Sequence, residues 1–389
     1  MIVALFGQFC IAEHQIACRY GLRIVVLLGL GGVVTSLLHA QGLPAPSSAS
    51  AAQAVVAASA PQWSSVPRAR GRLRAGDIGL IINSADPYSV AVGSHYAQRR
   101  QLQPEQVLHV ELPMRSTLKP EEFEALRARI QAHFGPATQA LALAWVHPYA
   151  VECNSITGAL ALGFDSDLCR QSCAPSRASA YANSASARPF GDHGMRLSML
   201  LAARDVDAAK RLIDRGVAAD RSQGLRGALP VHAYFLSTDD GTRNTRARLY
   251  PPAGLMRRSG VQLHVEPATA WTDPRRALLV QTGSVHLPAV EGLEWVDGGL
   301  GDHLTSYGGQ LGRETGQATA LDWIASGATA SHGSVSEPCN HLQKFPHPQW
   351  LLLHYLQGST AIEAYWKSVL WPQQSLFVGE PLAAPFARR

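Results

Sequence analysis

Nowhere in the 389 residues does charge of one sign form a contiguous block. The arginines behind the formal net charge of +5 come in singles and pairs such as Arg99-Arg100, Arg257-Arg258 and Arg275-Arg276. A surface that tracks a phosphate backbone needs clustered cations, so a nucleic-acid partner is not expected. There is also no HExxH or CxxC spacing to set metal ligands on one face. Histidines are numerous, among them His147, His193, His286, His303, His332, His341, His347 and His354. Even so, His347 and His354 sit about two helical turns apart, too far to share one ion, and no metal is expected. A Walker loop and a dinucleotide fingerprint are missing too; Gly29 to Gly32 falls inside an apolar N-terminal run, so no cofactor is implied. No internal repeat is present, and no apolar run reaches the roughly twenty residues of a spanning helix.

What is present begins with an export signature. Arg19 and Arg23 precede the apolar stretch from Ile24 to Leu38, which ends at His39-Ala40-Gln41. A positive flank, an apolar run and a small residue before a cut predict a signal peptide over residues 1–40 and a periplasmic or extracellular protein. A retained anchor is the alternative, so any membrane contact is expected only through this segment if it stays uncleaved. Residues 41–76 are rich in Ala, Ser, Pro and Gln without apolar periodicity and predict a disordered tether. The fold is then expected over residues 77–389 as one α/β domain, in two sub-halves of about 77–235 and 236–389. With 46% hydrophobic residues, a sizeable core is available to it. Cleavage leaves Cys153, Cys169, Cys173 and Cys339, an even number that suggests disulfides. Cys169 and Cys173 are near enough to close a small loop, leaving Cys153 to pair with Cys339 or stay free. Four cysteines allow three pairings, and the sequence does not choose.

Apolar runs of strand length alternate with amphipathic stretches. Strands are expected at 78–83, 107–110, 141–146, 231–236, 261–265, 277–281, 293–300 and 328–335. Helices are expected at 89–101, with Ser89 as cap, and at 119–134, 205–218, 317–326, 348–356 and 360–369. Between Gly163 and Met195 the pattern stops in a long excursion. Strands separated by helices of about a dozen residues predict a mainly parallel sheet with helices on both faces. Ligand and catalytic groups in such sheets gather at the C-terminal ends of strands.

Two stretches there carry chemistry. Asp302-His303-Leu304-Thr305-Ser306-Tyr307-Gly308-Gly309 puts an acid, an imidazole and two hydroxyls before a glycine pair. Neighbouring residues of an extended chain face opposite ways, so Asp302 and His303 share a pocket only if the strand has turned. His303 or His332 are candidate bases for a Ser306 nucleophile. The plainer reading has Asp302 and Thr305 capping a turn and His303 as a partly buried polar group. The second stretch, Ser331 to Asn340, offers His332 with Cys339 as a thiolate–imidazole pair, or Cys339 as half of a disulfide. Glu337 is placed to orient an imidazole, meet a substrate, or pair with Lys344. Thr305, Asn340 and Lys344 are expected on the substrate side. Arg243, Arg246 and Arg248 are candidates to bind a carboxylate or phosphate, against the alternative of a solvated turn.

At these residues the chain resembles a known family. The runs "GDHLTSYGG", "GATASHGSVSEPCN", "KFPHP", "EAYWKSV" and "FVGEPLAAPF", with "INSADPYSVAVGSHYAQRR" earlier, are similar to an uncharacterised family of exported bacterial proteins. That resemblance covers most of the chain after Asp77 and implies export without an activity. A more distant similarity, in the order of elements, is to the gingipain-type cysteine peptidases of the caspase-like fold. It implies a caspase-like sandwich with a His-Gly ending one strand and a cysteine ending the next. Here Gly283-Ser284-Val285-His286 follows the first such strand, and no cysteine lies near Asp302 to Ser306. The resemblance then implies either a hydrolase-like site using Ser306, Thr305 or Cys339, or a peptidase-like site without its chemistry. The alternative from another class is a non-catalytic protein that binds a peptide or glycan at the C-terminal edge of the sheet.

Overall fold

The computed structural model describes residues 62–388 apart from 226, 273, 289–291 and 313–314. The expected signal peptide and the first part of the tether lie outside the described residues. Residues Ser59–Arg389 cluster as one compact unit.

The first half of that unit carries strands β1 (Ile78–Asn83), β2 (Val107–Val110), β3 (Thr117–Leu118), β4 (Ala140–Leu143), β5 (Ala150–Val151), β6 (Asn154–Ser155) and β7 (Leu197–Leu200). Its helices are α1 (Pro87–Arg100), α2 (Pro120–His133), α3 (Ile156–Leu162), α4 (Ser166–Arg170), α5 (Pro189–His193) and α6 (Val206–Ala218). The second half adds β8 (Val231–Ser237), β9 (Gly254–Met256), β10 (Val261–Pro267), β11 (Ala277–Gly283), β12 (Trp295–Leu304), β13 (Ala330–Ser334) and β14 (Ser375–Gly379). It also holds α7 (Ala320–Ser326), α8 (Pro348–Leu356) and α9 (Ala361–Ser368).

Eleven strands form one sheet in the order β2-β1-β4-β7-β14-β13-β12-β11-β8-β10-β9. Paired neighbours are parallel, with a register shift in β11 between Ala277 and Leu279 and a single residue pair, Val378 with Leu200, joining β14 to β7; the exceptions are β14 with β13 and the edge strand β9 with β10, which are antiparallel. This is the expected α/β architecture with a mostly parallel sheet. Its parallel strands are buried almost throughout, as strands covered on both faces must be.

Local chemistry sets the element ends. Helix α1 begins two residues before the expected start because Asp86, not Ser89, is its cap. The Asp86 carboxylate accepts from Tyr88 N at 2.9 Å, and Pro87 fills the first turn, where its missing N–H costs nothing. Ser89 is buried and accepts from Asn83 N instead. Asp205 caps α6 through Ala208 N, and Glu122 accepts from Lys119 N at the head of α2.

Residues 62–76, expected to belong to the tether, are fastened to the domain. Gln349, Gln357 and Glu363 accept from the backbone N–H groups of Ser64, Ala69 and Leu73, and Leu73 is buried. The segment has no apolar period because it docks through its backbone and one leucine.

Segments that follow strands of both halves meet at one edge. His147 Nε2, after β4, donates to Leu311 O, after β12, at 2.9 Å. Ser336 Oγ, after β13, donates to Cys153 O at 2.6 Å. The two stretches singled out in the sequence are likewise neighbours, since β12 pairs with β13 in parallel and sets Asp302 beside His332.

Candidate functional site

Strand β12 continues straight through Asp302 and His303, so alternation sends them to opposite faces. On one face Phe235, Gln281, Asp302, His332 and Phe377 stand in register as a row across five strands, apolar at its ends and polar in the middle. The 3-10 turn Asn244–Leu249 lowers Arg246 onto this row. Its guanidinium pairs with Asp302 Oδ2 and also donates to Thr282 O at 2.9 Å and Pro346 O at 3.2 Å. Gln281 Nε2 donates to the same carboxylate oxygen at 3.0 Å. His332 Nδ1 lies 3.4 Å from Asp302 Oδ1, close enough for charge to act but long for a hydrogen bond. Asp302 and His332 expose nothing and Arg246 1%.

Burial by itself would raise the Asp302 pKa, but Arg246 and His332 acting together outweigh it, and the carboxyl is held below its usual range. Burial pushes His332 down, so it is neutral at pH 7. An acid held by an arginine and an imidazole walled by Phe345 and Phe377 form a structural ion-pair cluster without access for substrate.

On the other face His303 is fully committed. Trp323 Nε1 of α7 donates to its Nδ1 at 2.9 Å, and its Nε2 donates to Ala318 O at 3.0 Å. Those partners fix a neutral tautomer, and burial lowers its pKa to about 4. His303 therefore has no nitrogen left to act as base for Ser306, which sits half-buried at the bend after β12. Thr305 is buried, giving its proton to Gln317 Oε1 at 2.6 Å and accepting from Arg243 Nε at 3.3 Å. Arg243 is also paired with Asp240.

The glycine pair after Tyr307 is a packing device. A side-chain carbon on Gly309 would come within 2.6 Å of Gly333 O, and one on Gly333 would collide with the backbone of Gly308. Gly309 N donates to Ser334 O at 2.9 Å, so the loop after β12 is seated on β13.

The cysteines correct two expectations. Cys153 pairs with Cys169 and Cys173 with Cys339, at Cα separations of 5.2 and 5.1 Å, so the Cys169–Cys173 loop does not form. Cys169 lies in α4, whose start lets Asp165 O and Asn154 draw it toward Cys153. Cys339 has no thiol and cannot be a nucleophile. Glu337 accepts from Cys339 N at 2.8 Å and so shapes the turn that presents the bond. Lys344 is buried and donates to Ser172 O at 2.6 Å, a second tie to the same excursion, and burial lowers its pKa to about 8. Glu337, Lys344 and Arg246 thus all have partners within the fold. Replacing Cys173 and Cys339 with alanine opens a crosslink spanning 166 residues. The expected loss is about 2–4 kcal/mol, read as a lower denaturant midpoint with a steeper slope, because the unfolded chain without the crosslink is less compact.

One cleft adjoins this cluster. It encloses about 350 Å³ between the 3-10 turn, the segment 340–347 and the start of α8. Leu249, Leu342, Phe345 and Leu370 give it an apolar lining, with Trp350 on one wall and Arg248 exposed at the rim. Trp350 stacks on His347 with ring centroids 4.6 Å apart, and burial lowers the His347 pKa to about 4, so that pair is uncharged at pH 7. Of the candidate substrate-side residues Asn340 borders the cleft, held by Thr245 Oγ1 at 2.8 Å, and Arg248, His341 and His347 line it too. Trp350 gave no signal beyond a helical pattern, because a wall of a cleft and a core face have the same spacing. Among the described residues no group of three or more His, Cys, Asp or Glu is placed to hold a metal ion, and no helix is long and apolar enough to cross a membrane. No family model, no curated protein and no solved structure matches the chain.

Proposed function

We propose that this chain is an exported, non-catalytic binding protein that holds a peptide in the cleft between Arg248 and Trp350. The observation that carries the reading is the contrast between two neighbouring places. The acid, bases and sulfur expected to be catalytic are sealed, bonded or fully hydrogen-bonded, whereas the adjacent cleft is open, its apolar side chains set among the polar Arg248, Asn340, His341, Gln343, His347 and Ser368. Four apolar side chains and an indole favour an apolar peptide side chain over a glycan, and Arg248 is placed to meet a carboxylate. The two disulfides fit an oxidising compartment.

We read the run β11-β12-β13 as a caspase-like arrangement without its catalytic pair. The turn after β11 begins Ser284-Val285-His286, and Thr305 follows β12.

Titration with short peptides that carry one apolar side chain and a free carboxylate, followed by tryptophan fluorescence, tests the reading. Trp350→Ala is expected to weaken binding by about tenfold or more, as an aromatic anchor does. A fluorophosphonate or iodoacetamide is expected to leave the native protein unlabelled. Labelled Ser306, or glycans bound in place of peptides, would refute the proposal.

A further inference from the structure

A second cavity, of about 220 Å³, lies past the far end of α8 and is lined by Arg68, Arg72 and Arg388 together with Gly71, Gln357 and Gly358. None of these arginines forms an ion pair among the described residues. The carboxylates whose fields reach Arg72 belong to Asp220 and Glu363, and both are already taken. Asp220 accepts from Arg100 and from Ala384 N, and Glu363 from Leu73 N, Thr360 and Tyr181. Arg74 and Arg221 add further positive charge close by, and with burial they lower the Arg72 pKa. Three arginines thus line one hollow with no ion-pair partner among the described residues. Two of them, Arg68 and Arg72, come from the run Arg68, Arg70, Arg72 and Arg74, whose alternate spacing hides it from a search for contiguous charge. Gln357 accepts from Ala69 N and pins that run in place.

We propose that this arginine cavity binds a phosphate group, free or carried on a lipid headgroup. Forked guanidinium donors fit tetrahedral oxyanions, and half-buried Arg72 flanked by exposed Arg68 and Arg388 offers one dianion three cations at once. The site is separate from the peptide cleft. Gln349 and Gln357 mark the two ends of α8, eight residues or about 12 Å apart.

Calorimetric titration of the oxidised protein with inorganic phosphate and pyrophosphate tests the free form. Flotation with phosphatidylglycerol or phosphatidylcholine vesicles tests the lipid form. Binding in either arm that weakens about tenfold in Arg72→Gln and Arg388→Gln, while Trp350→Ala leaves it unchanged, supports the site and names the source. No binding in any arm, or equal binding by Arg68→Gln/Arg72→Gln/Arg388→Gln, overturns it. Should a variant misfold, phenylglyoxal modification of the unaltered protein decides instead. Pyrophosphate or phosphatidylglycerol vesicles shield Arg68, Arg72 and Arg388 if the proposal holds, and leave them reactive if it fails.

Discussion

Asp302→Ala is expected to cost about 3–5 kcal/mol, because it leaves the Arg246 guanidinium buried with no counter-charge. The remaining acceptors, Thr282 O and Pro346 O, are neutral and cannot replace the carboxylate. Arg246→Met is expected to be nearly as costly, since Asp302 would then keep only Gln281 and a neutral imidazole. Combining Arg246→Met with Asp302→Leu removes both charges and should recover most of the loss. Guanidinium unfolding of the four proteins measures this as a double-mutant cycle. A single-variant cost below about 1 kcal/mol would mean the pair is not sealed, and the case against catalysis at Asp302 would weaken with it.

Acid is the second large effect. Burial lowers the pKa values of His303 and His347 to about 4 and of His354 to about 3, with Lys367 adding to the last. In the unfolded chain these imidazoles take up protons near pH 6.5, so over the window from about 6.5 to 4 the unfolded state binds more protons. Stability is therefore complete above that window and falls as the pH drops through it. For His303 alone the loss at pH 4 is on the order of 3 kcal/mol, a large part of a typical domain's stability. Asp302 acts lower: its depressed pKa contributes stability above about pH 4 that is lost on further acidification. Urea midpoints measured between neutral pH and pH 4 should fall steeply, and His303→Asn should flatten the slope. A profile flat to pH 4.5 would show that the imidazoles titrate freely.

The parallel sheet was legible where apolar runs are bounded by turn residues. Strands β1 and β2 and helix α8 fall on their expected residues, because Asn83, Val110 and Pro348 mark sharp changes in pattern. The two strands at the centre of the sheet were not anticipated. Strand β7 is four residues long and follows an excursion with no period, and β14 is a five-residue run close to the end of the chain. Their places are set by tertiary partners, such as Trp366 on Ser198 O and Ser155 on Ser375 O, which leave no periodic trace. At the site, the opposed faces of Asp302 and His303 followed from strand geometry, whereas the register that sets Asp302 beside His332 did not show in the sequence. The role of Arg246 did not, since a polar run around it reads as solvated turn until the buried acid it meets is known. The disulfide pairing was equally hidden, because proximity in sequence favours Cys169 with Cys173 while the fold brings Cys339 to the latter.

The earliest and latest portions of the domain complete each other. Leu73 N is bound by Glu363, and Arg100 by Glu380, across 290 and 280 residues. A ribosome supplies the amino end first, so neither partner exists while the opening third of the domain is being made. Those early segments must wait, with Arg100 still wet and Leu73 undocked, until the closing twenty-odd residues are released. Assembly of this sheet therefore waits for α9 and β14 to be made, a condition under which a holding chaperone has the most to offer.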